Sequence, residues 1–88
     1  MAEIQLLIRN QLGLHARACA LFVKTASRYK ADVLVSRDGL EVNGKSIMGV
    51  MMLAAECGSV VHVRAAGDDA EAAVQAVVQL IQNRFGEE

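Results

Sequence analysis

The chain has few aromatic side chains, no excess of either charge and no uncharged run long enough to cross a bilayer. Aromatics are 3% of the residues and tryptophan is absent, so a core must be filled by Ala, Val, Leu, Ile and Met. Lys plus Arg number 9 against 10 Asp plus Glu, a net charge of −1. Nucleic-acid binding calls for a basic excess and, on single strands, for stacking aromatics. With neither present, a small βα nucleic-acid-binding domain is disfavoured and no nucleic-acid partner is expected. The uncharged run from Ser46 to Ala55 covers ten residues, too few for a membrane span, so no membrane insertion is expected. Met1-Ala2-Glu3 carries no basic region ahead of an apolar one, so no export signal is expected. Cys19 and Cys57 are far apart and match no metal or redox spacing, which suits reduced thiols and a cytoplasmic location. There is no Walker-type glycine loop, no paired-carboxylate motif and no metal cluster, so no metal or cofactor is expected.

What is present centres on Gly13-Leu14-His15-Ala16-Arg17. It lies where the alternating run Ile4, Leu6, Ile8 gives way to helical spacing at Ala18, Leu21, Phe22, Thr25 and Ala26. Gly13 permits a tight turn. The helix that follows opens with N–H groups lacking a helical acceptor, at the positive end of its dipole, and such a terminus attracts anions. A histidine there is ordinarily a cap or a surface residue. Followed two positions later by Arg17, it can also be a nucleophile whose acquired anion the arginine and the Ala16 and Arg17 amides hold. Free imidazole has a pKa of about 6.5, so it is mostly neutral at cytosolic pH. The helix start and Arg17 both oppose positive charge on the ring. The chemistry implied is a transiently phosphorylated His15.

Length allows one domain, residues 1–88. The order of elements reads β-α-β-β-α-β-α. A strand is predicted over Ile4 to Arg9, then a helix from Ala16 to about Tyr29 with Ala18, Phe22, Thr25 and Tyr29 inward. Val33 to Val35 and Leu40 to Val42 are strands joined by the hairpin dipeptide Asp38-Gly39. Ser46 is placed to cap a short helix, Ile47 to Leu53. Val60 to Arg64 alternates as a fourth strand. Asp68 or Asp69 caps the last helix, with Glu71 in the capping-box position after Asp68 and Gly86 at a left-handed C-cap. Its inward stripe runs through Ala70, Ala73, Val74, Val77, Val78 and Ile81. Helices should cover one sheet face, leaving Gln5, Ser36, His62 and Arg64 wet on the other. Val50, Leu53 and Cys19 are assigned to the core, whereas Ile47, Met48 and Met51 are assigned partial exposure, since Met-rich surfaces serve several partners. Charged residues near the chain ends read as solvated.

Leu12-Gly13-Leu14-His15-Ala16-Arg17 together with Asn43-Gly44-Lys45-Ser46-Ile47-Met48-Gly49-Val50-Met51 resembles the histidine-containing phosphocarrier protein (HPr) family of the phosphoenolpyruvate-dependent sugar phosphotransferase system. The resemblance covers essentially the whole chain. It implies an α+β fold, an open-faced β-sandwich with a four-stranded antiparallel sheet in order 1-4-2-3 and three helices on one face. It places the phosphorylated histidine at His15, on Nδ1 (a pros-phosphohistidine), the phosphate-stabilising arginine at Arg17 and a regulatory serine at Ser46. The implied partners are enzyme I as donor and enzyme IIA proteins as acceptors, with a serine kinase/phosphorylase and catabolite regulators where an organism encodes them. The implied protein is a monomeric carrier, not an enzyme with its own turnover. Docking is expected at Ile47, Met48 and Met51, ringed by Lys24 and Lys45. Ala16 and Ala18 depart from the family's frequent threonine and usual proline, which removes one hydroxyl and some stiffness from the first turn. A carrier of the nitrogen-related branch and a non-phosphorylated regulatory docking module are the alternative readings.

Overall fold

The computed structural model describes residues 1–87. β1 (Ala2–Leu7) leads through the histidine loop into α1 (Ala16–Ala26). β2 (Asp32–Arg37) and β3 (Leu40–Asn43) form a hairpin, followed by α2 (Ile47–Met52), β4 (Val60–Ala66) and α3 (Ala70–Gln82). The sheet order is β1-β4-β2-β3, with every neighbouring pair antiparallel. This is the α+β open-faced sandwich expected from the resemblance.

Period-two patterning sets the register. Ile4 pairs with Val63 and Val63 with Val35, so one face of three strands is apolar. Val33, Val35, Val61, Val63 and Ala65 are buried there beneath the helices. On the open face Gln5 and Ser36 both register with His62. That face also carries the ion pair Arg64 to Glu41 at 2.7 Å, with His62 Nε2 3.8 Å from the Glu3 carboxylate. The β2–β3 turn has positive φ at both Asp38 (50°) and Gly39 (86°), the turn whose twist suits a two-residue hairpin.

Several local expectations are corrected. β1 begins and ends two residues before its predicted bounds, and Ile8 is buried beyond the end of the strand. α1 stops at Ala26 rather than Tyr29, because the amides of Arg28 and Tyr29 turn back to the carbonyls of Thr25 and Ala26, at 3.2 Å each. Its buried stripe is Ala18, Cys19, Phe22 and Ala26, with Thr25 only half-buried. The capping box at α3 does not form. Asp69 is the N-cap residue, but its side chain makes no cap bond. Instead its two carboxylate oxygens accept from the amides of Lys30 and Ala31, each at 2.8 Å, tying the α1–β2 connection to the start of α3. The left-handed turn after α3 involves more than Gly86 (φ 76°): Arg84 (56°) and Phe85 (54°) share it, and Phe85 is buried.

Candidate functional site

The histidine loop is sewn to the segment following α2. The Leu14 amide donates to the Ala55 carbonyl at 2.8 Å. Gly13, at φ 66°, passes so close that a Cβ would stand 2.5 Å from that same carbonyl oxygen. Glycine is required here by both torsion and space. The loop therefore delivers His15 at the N-cap of α1 with extended backbone (φ −75°, ψ 176°). The first helical bond runs from the Cys19 amide to the His15 carbonyl, leaving the amides of Ala16, Arg17 and Ala18 without helical acceptors.

His15 does not cap its helix with its side chain. Its ring, with 28% side-chain exposure, meets Glu87, whose Oε2 lies 2.5 Å from Nε2. The same carboxylate oxygen accepts from Asn10 Nδ2 at 3.1 Å, and that amide group also donates to the Gly13 carbonyl at 2.6 Å. The Asn10 orientation follows from its partners, since a flipped amide would set oxygen against two acceptors. Asn10 is fully buried, and its Oδ1 has no partner among the described residues. These bonds, His15 foremost and Asn10 next, hold the Glu87 carboxyl below the usual glutamate range despite the opposing desolvation. Glu87 is thus neither free nor fully solvated, contrary to the reading of charges near the chain ends. It also supplies the second ionisable group at His15 that the sequence shows no sign of, being 72 positions away.

The other expected site residues fall in two groups. Ala16 and Arg17 are exposed in the first turn of α1, and Arg17 forms no ion pair with another described residue. Ser46 stands at the far end of α2 from the histidine loop. Its Oγ accepts from the Gly49 amide at 3.1 Å, so it caps α2 as expected. Lys45 Nζ reaches across to the Tyr29 carbonyl at 2.7 Å, and Lys24 is exposed in the last turn of α1. α1 and α2 are in contact, the start of α1 near the end of α2. Ile47 (45%), Met48 (73%) and Met51 (41%) are exposed on α2, while Val50 and Leu53 are buried. Leu12 and Met52 add apolar exposure that the sequence reading did not assign. Cys19 is buried, its Sγ 3.3 Å from the Leu14 carbonyl, and burial pushes its thiol pKa up. No group of three or more His, Cys, Asp or Glu among the described residues could hold a metal ion. No helix among them is long and apolar enough to cross a membrane.

Comparison with known proteins adds three findings. A family model described as the PTS HPr component phosphorylation site matches residues 2–83. A phosphocarrier protein HPr from Xylella fastidiosa is 50% identical over 88 residues, covering 100% of this chain and 99% of that protein. Among solved structures, HPr-C-His from Thermoanaerobacter tengcongensis superposes with a TM-score of 0.97 at 50% identity, covering 100% of this chain and 99% of that one. An HPr dimer from the same organism gives 0.80 at 49% identity, covering 99% and 100%.

Proposed function

Because this chain belongs to the HPr family of phosphocarrier proteins, we propose that His15 is its phosphoryl acceptor, charged by phospho-enzyme I and discharged to enzyme IIA proteins in phosphoenolpyruvate-dependent sugar uptake. The observation that carries this reading is a half-exposed imidazole at a helix start with unpartnered amides. A ring in the core could not meet a partner, and a ring used as a cap would have its nitrogen occupied. The nucleophile attacks phosphorus, the new N–P bond forms, and the bond to the donor's leaving atom breaks with its electrons returning to the donor. The phosphoryl oxygens then face the Ala16 and Arg17 amides and the Arg17 guanidinium, where dipole and charge both favour an anion. The chain contributes position and charge, and the partner enzymes supply the remaining catalysis.

Docking is assigned to Ile47, Met48 and Met51, flanked by Lys24 and Lys45. Apolar exposure of this extent on one short helix exceeds what packing needs. Regulation is assigned to Ser46. A phosphate there would add about −1.5 to −2 charge, acceptable at its own helix start but repelled by an acidic partner. Its distance from His15 along α2 means that the effect would fall on docking. The protein acts as a monomer in the cytoplasm and needs no cofactor.

The test is incubation with phosphoenolpyruvate and enzyme I, followed by detection of an acid-labile phosphate adduct. His15→Ala should abolish it, and an adduct surviving that change would place the acceptor elsewhere. Ser46→Asp should slow uptake, and uptake at the wild-type rate would remove Ser46 from the scheme.

A further inference from the structure

Glu87 has no part in the chemistry just described, yet it makes the closest polar contact of the proposed acceptor. Its position is imposed by the fold. The left-handed run Arg84–Gly86 reverses the chain after α3, Phe85 is buried as an anchor, and the Glu87 amide donates to the Arg84 carbonyl at 2.9 Å. The carboxylate is then gripped by Asn10, a fully buried side chain whose amide group can only donate.

An ionised carboxylate accepts hydrogen bonds and cannot donate them, so the proton in the His15–Glu87 contact belongs to Nε2. A neutral imidazole with its proton on Nε2 keeps its lone pair on Nδ1. We infer that Glu87 is a positioning residue for His15: its carboxylate fixes the ring proton on Nε2, presents the Nδ1 lone pair to phosphorus, and balances the positive charge the ring acquires. The inference rests on the reading of His15 as phosphoryl acceptor. It supplies what that reading takes only from family resemblance, namely the choice of nitrogen.

The charge balance gives the carboxylate its second task. Attack by Nδ1 on a phosphorylated partner protein forms the N–P bond, and the old bond's electron pair leaves with the partner. No proton departs from Nε2 in that step, so the imidazole becomes formally cationic. A carboxylate already seated at Nε2 stabilises that cation without reorganising, as the buried aspartate does for the imidazolium of a serine-protease triad. The free amides and Arg17 serve the incoming anion, while Glu87 serves the ring.

The experiment uses the whole chain with Glu87→Ala and Glu87→Gln. Two readouts are taken: the ring-nitrogen resonances of His15, and phosphoryl uptake from enzyme I over a range of carrier concentrations. Glu87→Ala should lose the hydrogen-bonded Nε2 proton signal and slow uptake at saturation by about tenfold, the low end of what removing the carboxylate that orients a metal-bound imidazole costs. The concentration giving half-maximal uptake should stay unchanged. Glu87→Gln, whose amide oxygen still accepts from Nε2 but carries no charge, should restore the proton signal and only part of the rate. Unchanged ring resonances, or wild-type or faster uptake in Glu87→Ala, would overturn the inference. A wild-type chain that takes no phosphate on His15 would instead overturn the reading beneath it, and the ring resonances would still show whether Glu87 places the proton.

Discussion

At Asn10 one amide group serves two acceptors, the Gly13 carbonyl and the Glu87 carboxylate, so Asp, the substitution that changes shape least, would change charge most. Asn10→Asp would set an anion against both in a fully buried site. We expect a loss of about 1–3 kcal/mol, the cost of leaving buried polar groups unpaired. Urea unfolding measures it, together with release of Glu87 from the ring. Gly13→Ala should cost more than about 1 kcal/mol, because the positive φ and the crowding by the Ala55 carbonyl both exclude a side chain. Glu87 gives a pH prediction. Its folded-state pKa lies below the unfolded one, so its stabilising contribution is present above the ordinary glutamate range, about 4.3, and is lost as pH falls through the folded value. Titration of its carboxyl carbon should show a midpoint below that range, and His15→Ala should move the midpoint upward. At this scale the sequence is readable only where chemistry is local. His15, Arg17, Ser46 and Gly13 announce themselves by motif, whereas Glu87 meets His15, and Asn10 meets Glu87, only after the whole chain has folded.

At the scale of elements, a strict period places a strand's inward residues, but it fixes the ends of neither strands nor helices. Alternation identifies β4 down to the inward Val61 and Val63, since a slip of one residue would bury His62 and Arg64. The end of α1 escapes that reasoning, because Thr25 and Tyr29 continue the spacing and only the tightening of the last turn stops the helix. The α3 cap escapes for another reason. Asp69 has a competing use at Lys30 and Ala31 that no local motif encodes. Those bonds, the Lys30 amide first, hold the Asp69 carboxyl below its usual range. The tie of α3 to the α1–β2 connection is accordingly present above about pH 4 and loosens as pH falls through the lower folded value. Within α2 the two faces should respond oppositely. Leu53→Ala should cost about 2–5 kcal/mol of stability. Met48→Ala should stay within about 0.5 kcal/mol while weakening partner docking, seen as a higher enzyme I half-saturation concentration.

For the whole molecule, the few aromatics carry disproportionate weight. Phe22 lies on the buried face of α1, and Phe85, in the turn after α3, joins the same core cluster. Phe85→Ala should cost about 3–5 kcal/mol. In a domain of this size each kcal/mol corresponds to about 4–8 °C in Tm, so a thermal scan reads the effect directly. The same variant should also weaken the Glu87 contact at His15, because the anchor that aims the tail is gone. Unfolding should follow one transition by every probe, as expected when all elements share one core.

The left-handed reversal after α3 has a practical consequence. It brings Glu87 against the His15 ring, the phosphoryl acceptor proposed above, on the side of the molecule away from the open sheet face. A small fluorophore attached just past Glu87 would share that electrostatic environment, so its emission should follow phosphoryl loading in real time. A bulky affinity handle at the same place would crowd the imidazole, and is better carried at Met1, which is 86% exposed on the first strand's outer end.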